Sequence, residues 1–227
     1  MTTTLDIVIP TLNAGRTLGR TLAALPAPPG FAISTTICDG GSSDDTVAIA
    51  REAGARIVAA PPGRGGQLGV GAAAGDAPWL LFLHADTRLG PSAGAIIARF
   101  VSSGANDDKA GYFRLRFDSA DPRARRVERL ATWRCRIFGL PYGDQGLLIA
   151  RARYERLGGF RPLPLMEDVD LMRRIGRGDL VALDADALTS AARYQRDGWV
   201  ARPLRNLSCL ALYFAGASPH FLRRLYG

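Results

Sequence analysis

The chain has few cysteines and few histidines, and both shortages restrict its chemistry. Its three cysteines, Cys38, Cys135 and Cys209, are odd in number, stand far apart and lie in or beside apolar stretches. They offer neither a disulfide framework nor the spacing of a zinc knuckle, and a reducing cytoplasm suits them best. The two histidines, His84 and His220, are too few for a multi-histidine metal site, and we expect His220 to lie at the surface or cap a helix.

Long apolar runs are also missing. No stretch reaches the roughly 18 apolar residues that a bilayer-spanning helix needs. The longest candidate, residues 207–217, contains Ser208 and Gly216, which favours a buried helix or one lying on a membrane surface. The amino terminus has no basic region and only a short apolar run, so we expect a first strand rather than a signal peptide. No repeat, low-complexity tract or linker interrupts the chain, which predicts one domain over residues 1–227.

Acidic side chains are fewer than basic ones. The 227 residues include 29 Lys and Arg against 21 Asp and Glu, which gives a net charge of +8 and a pI near 10.1. This charge favours an anionic partner, such as a nucleotide, a phosphorylated acceptor, nucleic acid or an acidic membrane, without choosing among them. A hydrophobic content of 47% with 22% charged residues is typical of a globular protein with a sizeable core.

A strand-length apolar run in the middle of the chain ends at two polar side chains. Residues 79–83 are uninterruptedly apolar, as is typical of a central parallel strand covered by helices on both faces. His84 and Asp86 follow at its carboxyl end, where open α/β sheets bind ligands. A carboxylate there can accept a hard divalent cation, which in turn can hold a diphosphate. The alternative is that Asp86 and Thr87 only cap a turn.

Strand and helix patterns alternate along the first sixty residues, with Asn13 as a plausible N-cap of the first helix. This order predicts an α/β fold with a doubly wound, mostly parallel sheet flanked by helices. The strand over residues 110–117 alternates like a half-exposed strand. The predicted strands cover residues 5–10, 33–38, 56–60, 79–83, 110–117, 147–150 and 180–188.

Six glycines lie between residues 61 and 75, together with Arg64 and Gln67. Their intervals match neither a Walker loop nor a G-x-G-x-x-G fingerprint. Glycines let the backbone approach a phosphate, and Arg64 could donate to it. An equally natural alternative is a mobile loop that leads into a small-residue helix over 68–74, packed close to the sheet.

Three acids within four residues open the segment 166–174, and two arginines close it. This arrangement complements a helix dipole, which is a sufficient structural explanation. Crowded carboxylates also repel one another, however, and a raised pKa suits proton transfer. Considered together with Asp86, the pattern makes Asp168 a candidate general base.

Basic and apolar residues are mixed in the last half of the chain. The segment 114–136 carries eight arginines against three acids. Val127, Leu130, Trp133 and Ile137 keep helical spacing, which predicts an amphipathic helix whose basic side could meet anionic lipid or substrate. A solvated surface is the commoner outcome for such a run. Beyond residue 198 we predict one apolar helix, from about 204 to 214, with basic ends.

Four motifs, DIVIPTLN, CDGGSSDDT, FLHADT and MEDVDLMRR, occur in this order and together resemble the inverting glycosyltransferases of family 2, which have a GT-A fold. The resemblance covers residues from about 5 to 195. More narrowly, GRGGQLGVGAAAGD with FLHADT and GDQG resembles a bacterial subgroup of radical-SAM/selenodomain-associated, or arsenosugar-biosynthesis, glycosyltransferases. The resemblance implies a nucleotide-binding half over residues 1–110, an acceptor half over 111–200 and a carboxyl-terminal helix over 201–227.

The resemblance also implies a role for individual residues. Asp86 would hold Mg²⁺ or Mn²⁺, Asp168 would be the general base and Glu167 would support it. Tyr142 and Gln145 are candidates to line the acceptor side. Two departures from the family pattern are His84, which replaces the first Asp of the DxD motif, and Gly40, which replaces the second acid of DDGS. The residues expected to bind the nucleotide sugar are Pro10, Thr11, Asn13, Asp39, Arg64, Gln67, Ala85 and Asp86.

The chemistry implied is the transfer of a hexose from a nucleoside-diphosphate sugar to an acceptor hydroxyl. A cation at Asp86 would neutralise charge on the leaving diphosphate, and a carboxylate on the opposite face of the sugar would deprotonate the acceptor. One displacement then inverts the anomeric centre.

Two other functions remain as alternatives. A sugar nucleotidyltransferase would need a glycine-rich basic loop after the first strand, where this chain has TLNAGRT with the single Gly15. A non-enzymatic basic protein could bind nucleic acid or a membrane through residues 114–136, although few aromatics accompany the arginines there. We expect a cytoplasmic enzyme that binds no nucleic acid and has a possible peripheral contact with the inner face of the membrane.

Overall fold

In a computed structural model of the protein, which describes residues 3–226, one eight-stranded sheet is flanked by helices. The strands are β1 (Thr3–Thr11), β2 (Phe31–Asp39), β3 (Arg56–Ala59), β4 (Trp79–Phe82), β5 (Thr87–Leu89), β6 (Ala110–Phe117), β7 (Leu147–Ala150) and β8 (Leu180–Thr189). The helices are α1 (Gly15–Ala23), α2 (Thr46–Glu52), α3 (Arg64–Ala73), α4 (Ala93–Val101), α5 (Pro122–Phe138), α6 (Arg151–Arg156), α7 (Glu167–Ile175), α8 (Ala192–Asp197), α9 (Ala201–Phe214) and α10 (Pro219–Tyr226).

The strand order is β3-β2-β1-β4-β7-β6-β8-β5. Strands β3, β2, β1 and β4 run parallel to one another, and β6 runs parallel to β8. Antiparallel pairs occur where β7 lies between β4 and β6 and where β5 pairs with β8. The predicted α/β class with a mostly parallel, helix-flanked sheet is therefore confirmed.

Both faces of the central strands are buried, which explains their continuous apolar sequences. In β1, Leu5, Ile7 and Ile9 pack into one apolar cluster with α1 and α4. Val8 points to the other face and joins a second cluster that includes Leu68 of α3. Because water reaches neither face, the strand needs no alternation of polar residues.

Two predictions about the second half of the chain were wrong. Strand β6 is not half-exposed, since apart from Arg114 and the partly buried Arg116 its side chains are covered. It lies between β7 and β8, with α5 packed against it.

The carboxyl-terminal tail contains not one helix but two, because Gly216 adopts a φ of 91° and ends α9 before α10 begins. Within residues 3–226, no helix has the length and apolar character that crossing a bilayer requires.

The predicted apolar face of α5 was also wrong. Val127 is buried as expected, but Leu130, Trp133 and Ile137 are exposed. Glu128 faces inward instead and accepts a hydrogen bond from the Phe117 backbone N–H (2.9 Å). Small residues at Ala124 and Ala131 then let the helix approach β6 closely. The orientation of α5 is thus set by a buried carboxylate and two alanines, and its large apolar side chains are left on the surface.

The glycine-rich segment forms α3, which starts at Arg64 rather than near residue 68. Gly71 faces the sheet, where a Cβ atom would overlap Cys38 Sγ and come within 2.5 Å of Val8 Cγ1. Both neighbours are fully buried. The helix can lie this close to β1 and β2 only because the side chain is absent.

We expect Gly71→Ala to lower the free energy of unfolding by about 1–3 kcal/mol, because overpacking of a closed core outweighs the better helix propensity of alanine. Gly69→Ala is the matched control in the same helix, since its Cβ would meet Phe160 O at an ordinary 3.5 Å. Urea denaturation of the two variants measures the difference. Equal stability of the two would show that α3 moves away from the sheet without penalty.

Candidate active site

An open cavity of about 790 Å³ lies at the carboxyl ends of β4, β6 and β8, beside the first turn of α7. Asp86 and Asp168 both line it, from different elements. The sheet therefore brings the two candidate acids to one crevice. The other polar side chains on its wall are Arg64, His84, Tyr142, Asp144, Glu167, Thr189, Ser190, Arg193, Tyr194, Arg202, Asn206 and Tyr226.

Asp86 follows the buried strand β4 and presents a partly buried carboxylate to this cavity. Its backbone carbonyl accepts a hydrogen bond from Ser190 N–H, which ties the turn to the end of β8. Within the described residues, its carboxylate makes no hydrogen bond or ion pair, and no group of three acids, histidines or cysteines could enclose a metal ion. One free carboxylate suits Mg²⁺ or Mn²⁺ when substrate phosphates and water supply the remaining ligands. The residues present therefore fit a cation shared with a diphosphate.

Asp168 lies in the first turn of α7, and two backbone donors hold its carboxylate. Oδ2 accepts from Gly143 N–H at 3.0 Å, and Oδ1 accepts from Val169 N–H at 2.8 Å. Since each carboxylate oxygen can accept two bonds, each keeps a free lone pair for a ligand in the cavity. This geometry orients the Asp168 carboxylate and leaves it able to accept a further hydrogen bond or a proton.

Glu167, the neighbour of Asp168, is buried and forms an ion pair with Arg64 (Nη1–Oε1, 3.0 Å). Burial raises the pKa of Glu167, while Arg64 opposes the rise. Burial alone would lower the pKa of Arg64, but the carboxylates of Glu167 and Asp168 raise it overall. The pair joins the start of α3 to the start of α7, and Arg64 reaches the cavity from α3.

His84 packs against Gly143, so closely that a Cβ atom on that glycine would lie 2.5 Å from His84 Nε2. Burial, followed by the charges of Arg64 and Arg193, lowers the pKa of His84 well below its usual value. The imidazole is therefore neutral at pH 7. His84 supports the same backbone segment whose N–H donates to Asp168, which makes it a positioning residue for that acid.

Asp144 is a site residue that the sequence analysis missed. It lies on the cavity wall, and its Oδ1 has no hydrogen-bond partner among the described residues. Burial raises its pKa to about 6, with Arg134 opposing and Asp168 and Asp86 reinforcing the rise. The acid sits between two residues that had been proposed for the acceptor side, but nothing in the local pattern distinguishes it from an ordinary turn aspartate.

The raised pKa of Asp144 predicts a specific pH dependence of stability. Because the folded state holds this proton more tightly than the unfolded chain, with a pKa of about 6 against an ordinary value of 3.8, stability is lost as the pH rises from 4 to 7. Relative to Asp144→Asn, the free energy of unfolding of the native protein should fall by up to about 3 kcal/mol across that range. Urea titrations at pH 4, 5, 6 and 7 measure the difference, and parallel curves would contradict it.

Part of the cavity wall comes from residues 193–226 and was not predicted. Arg193 is exposed and has no acidic partner among residues 3–226. Arg202 is buried, pairs with Asp197 and donates to Tyr226 Oη at 2.8 Å. Asn206 lies one helical turn further along α9. Arg193 lies four residues after the end of β8. This position is the sequence signal from which part of the wall could have been predicted.

The residues expected to bind the nucleotide base form a separate cluster at the ends of β1 and β2. Asp39 is buried and accepts hydrogen bonds from Thr11 Oγ1, Ser42 and Gly41 N–H. Burial alone would raise the pKa of Asp39, but these bonds lower it overall, led by those from Ser42. Pro10 precedes Thr11 on β1. None of these residues lines the cavity that holds Asp86 and Asp168.

The predicted helix cap at Asn13 was wrong. Asn13 has a φ of 51°, and its side-chain oxygen accepts from Ser43 N–H at 2.9 Å instead of from α1. Asp44 takes the capping role, since its carboxylate accepts from Gly15 N–H at 2.9 Å and also from Thr46 at the start of α2. The loop after β2 thus fixes the starts of two helices.

Two predicted ligand residues act as internal braces. Gln67 is buried, and its amide donates to the carbonyls of Thr11 and Cys38, both at 2.7 Å. Gln145 is buried as well, and it donates to Phe113 O while accepting from Arg134. Neither side chain lines the large cavity.

The last two predicted positions differ in their access to the cavity. The backbone carbonyl of Ala85 accepts a hydrogen bond from Thr21 of α1 at 2.9 Å. Tyr142 does line the cavity, with the Arg134 guanidinium 3.4 Å from the centre of its ring.

Comparison with known proteins identifies a family. The model of the family described as glycosyl transferase family 2 matches residues 6–151, which is more than half of the chain. No curated protein matches the chain by sequence.

Several solved structures share the fold. Glucosyl-3-phosphoglycerate synthase from Mycobacterium tuberculosis, in complex with Mn²⁺, UDP and glucosyl-3-phosphoglycerate, is 21% identical with a TM-score of 0.57, over 81% of this chain and 70% of that one. The same enzyme with Mg²⁺ and UDP gives 19% identity and a TM-score of 0.58, over the same shares. S. aureus TarS 1-349 in complex with UDP-GlcNAc is 12% identical with a TM-score of 0.62, over 98% of this chain and 70% of that one. These likenesses establish a GT-A type fold.

Proposed function

Because the chain belongs to glycosyl transferase family 2, we propose that it transfers a sugar from a nucleoside-diphosphate sugar to an acceptor hydroxyl, with inversion at the anomeric carbon. The observation that carries the proposal is the convergence of Asp86 and Asp168 on one open cavity. A direct displacement needs one acid beside the leaving diphosphate and another that reaches the attacking alcohol. The cavity supplies both from separate elements.

Asp86 is the proposed metal ligand. When bound there, Mg²⁺ or Mn²⁺ would supply positive charge against the departing diphosphate. Two arginines of this chain can add to that charge from the same cavity, Arg64 at the start of α3 and the exposed Arg193. The complexes of the M. tuberculosis synthase, which contain UDP with Mn²⁺ or Mg²⁺, support this choice of ligand and cation.

Asp168 is the proposed general base. The acceptor oxygen attacks the anomeric carbon as its proton passes to a free lone pair of the Asp168 carboxylate, while the bond from the anomeric carbon to the diphosphate oxygen breaks. Gly143 N–H and Val169 N–H keep the carboxylate oriented during this step. Glu167, held by Arg64, fixes the helix turn that carries the base. Tyr142 lies beside them and is the proposed acceptor-side contact.

We also propose that the chain belongs to the radical-SAM/selenodomain-associated subgroup of the family, on the strength of the GRGGQLGVGAAAGD and GDQG segments. The first segment is the closely packed helix α3, and the second carries Gly143, Asp144 and Gln145. At Gly65, Gly71 and Gly75 of the first segment, and at Gly143 and Gly146 of the second, a Cβ atom would lie within 3.0 Å of a neighbouring atom.

A thermal-shift panel tests the proposed function. UDP-, GDP- and dTDP-sugars are each added with and without Mn²⁺, and at least one should stabilise the protein only when the metal is present. At a ligand concentration near 100 times Kd the gain is about 2.7 kcal/mol, which raises Tm by about 5 °C or more. If no donor shifts Tm in the presence of Mn²⁺, the transferase proposal fails.

A further inference from the structure

Helix α9 has two faces of opposite character. On the inner face, Arg202 and Asn206 line the cavity and Cys209 is buried in the core. The outer face is an apolar stripe whose large side chains stay exposed in the part of the chain that the structure describes, with the Arg173 guanidinium 5.1 Å from the centre of the Phe214 ring. This α9 stripe consists of Val200, which directly precedes the helix, and Leu204, Leu207, Ala211 and Phe214, which recur at helical spacing. Its four large side chains are between 50% and 68% exposed.

Helix α5 carries a second exposed apolar surface. This α5 stripe consists of Leu130, Trp133, Ile137 and Phe138, which are at least 45% exposed. Three further exposed residues of the helix are arginines, Arg126, Arg129 and Arg136, and its one acid, Glu128, is buried beneath Arg116. The outer face of α5 is therefore apolar and basic, with no acidic group.

The two stripes are neighbours on the molecule. Trp199, which lies just before the α9 stripe, packs in one buried cluster with Val127 and Ala131 of α5. Asn206, on the inner face of α9, lines the cavity, and so does Tyr142, four residues beyond the end of α5.

We propose that the α5 and α9 stripes bind the surface of an anionic lipid bilayer. Exposed apolar side chains flanked by arginines are what an interfacial helix presents to lipid, since the apolar groups enter the acyl boundary and the guanidinium groups meet anionic headgroups. A second copy of this chain fits less well, because neither α5 nor α9 offers an exposed acid to pair with Arg126, Arg129 and Arg136. The net charge of +8 also favours binding to an anionic bilayer.

Vesicle co-sedimentation of the full chain tests this proposal without any donor or acceptor. Binding is compared between phosphatidylcholine vesicles and vesicles of phosphatidylcholine mixed with phosphatidylglycerol. We expect binding to the anionic vesicles, a reduction of about tenfold in Leu204→Gln/Leu207→Gln and a similar reduction in Arg129→Glu/Arg136→Glu. High salt should weaken the binding of the native protein, since exposed charges are screened.

The matched control is Arg20→Glu/Arg51→Glu, which changes the net charge equally at exposed positions on α1 and α2. It should retain most of the binding, and circular dichroism confirms that each variant is folded. Three results would overturn the proposal: no preference for anionic vesicles, equal losses in the control, or a stable dimer in sedimentation equilibrium that Leu204→Gln/Leu207→Gln dissociates. Because no sugar nucleotide is present, the outcome is independent of whether the transferase proposal holds.

Discussion

Asp168→Asn is expected to reduce kcat by about 10²- to 10⁴-fold while donor binding is retained. Asparagine preserves the shape of the side chain, and its carbonyl oxygen can still accept the Gly143 N–H that Asp168 accepts at 3.0 Å. It cannot take up a proton from the acceptor at neutral pH. The loss should therefore appear in turnover and leave the Mn²⁺-dependent thermal shift of the donor unchanged.

Asp107→Asn is the matched control for this experiment, because the same chemical change is made at an exposed loop position. Its turnover should equal that of the native protein. Turnover of Asp168→Asn within a few-fold of native would remove Asp168 from the role of base. A simultaneous loss of the donor-induced shift would instead indicate that Asp168 helps to hold the nucleotide sugar.

Asp86→Asn is expected to raise the Kd of the nucleotide sugar about 100-fold in the presence of Mn²⁺, or about 2.7 kcal/mol. The carboxylate has no ion-pair partner among the described residues, so its removal leaves no arginine or lysine without its acidic partner. The variant should therefore bind the donor more weakly, while its free energy of unfolding stays unchanged. Calorimetric titration of donor into each protein, with Mn²⁺ and with a chelator, measures it.

The chelator arm is the internal control for Asp86→Asn. Without metal, the native protein and the variant should bind the donor equally weakly, because the missing interaction is one that the cation mediates. A variant that is weaker than native even in the chelator would show that Asp86 contacts the donor directly. Unchanged affinity in Mn²⁺ would exclude Asp86 as the metal ligand.

Local patterns predicted the central strands β1 and β4 because both faces of these strands are buried. A continuous apolar run such as residues 79–82 has few alternatives, and the polar residues that follow it must emerge at the strand's end. That is why Asp86 could be placed on the cavity from the sequence. Strand β7 was predicted too, but its antiparallel place between β4 and β6 depends on pairing between residues some seventy positions apart and has no local signature.

The orientation of α5 could not be predicted, since it depends on long-range polar contacts. Periodicity showed a helix with large apolar residues, but Glu128 faces inward because its partners, Arg116 and the Phe117 N–H, belong to β6. Asp144 was missed for a related reason. The burial that raises its pKa arises from elements that meet only in the folded protein. The bonds of Gln67 and Gln145 to backbone carbonyls could not be predicted either, because those carbonyls lie far away in the sequence.

The ion pair between Arg64 and Glu167 has a thermodynamic consequence for the proposed reaction. It joins a residue on the donor side to the residue next to Asp168, and Glu167 is almost fully buried. A diphosphate that drew the Arg64 guanidinium toward itself would weaken the only ion pair that the described residues provide for the Glu167 carboxylate. The first turn of α7, which begins at Glu167, would then be held less firmly. By reciprocity, whatever the donor does to acceptor affinity, the acceptor must do equally to donor affinity. The affinity for each substrate should therefore depend on whether the other is bound, and the Arg64 guanidinium transmits this coupling.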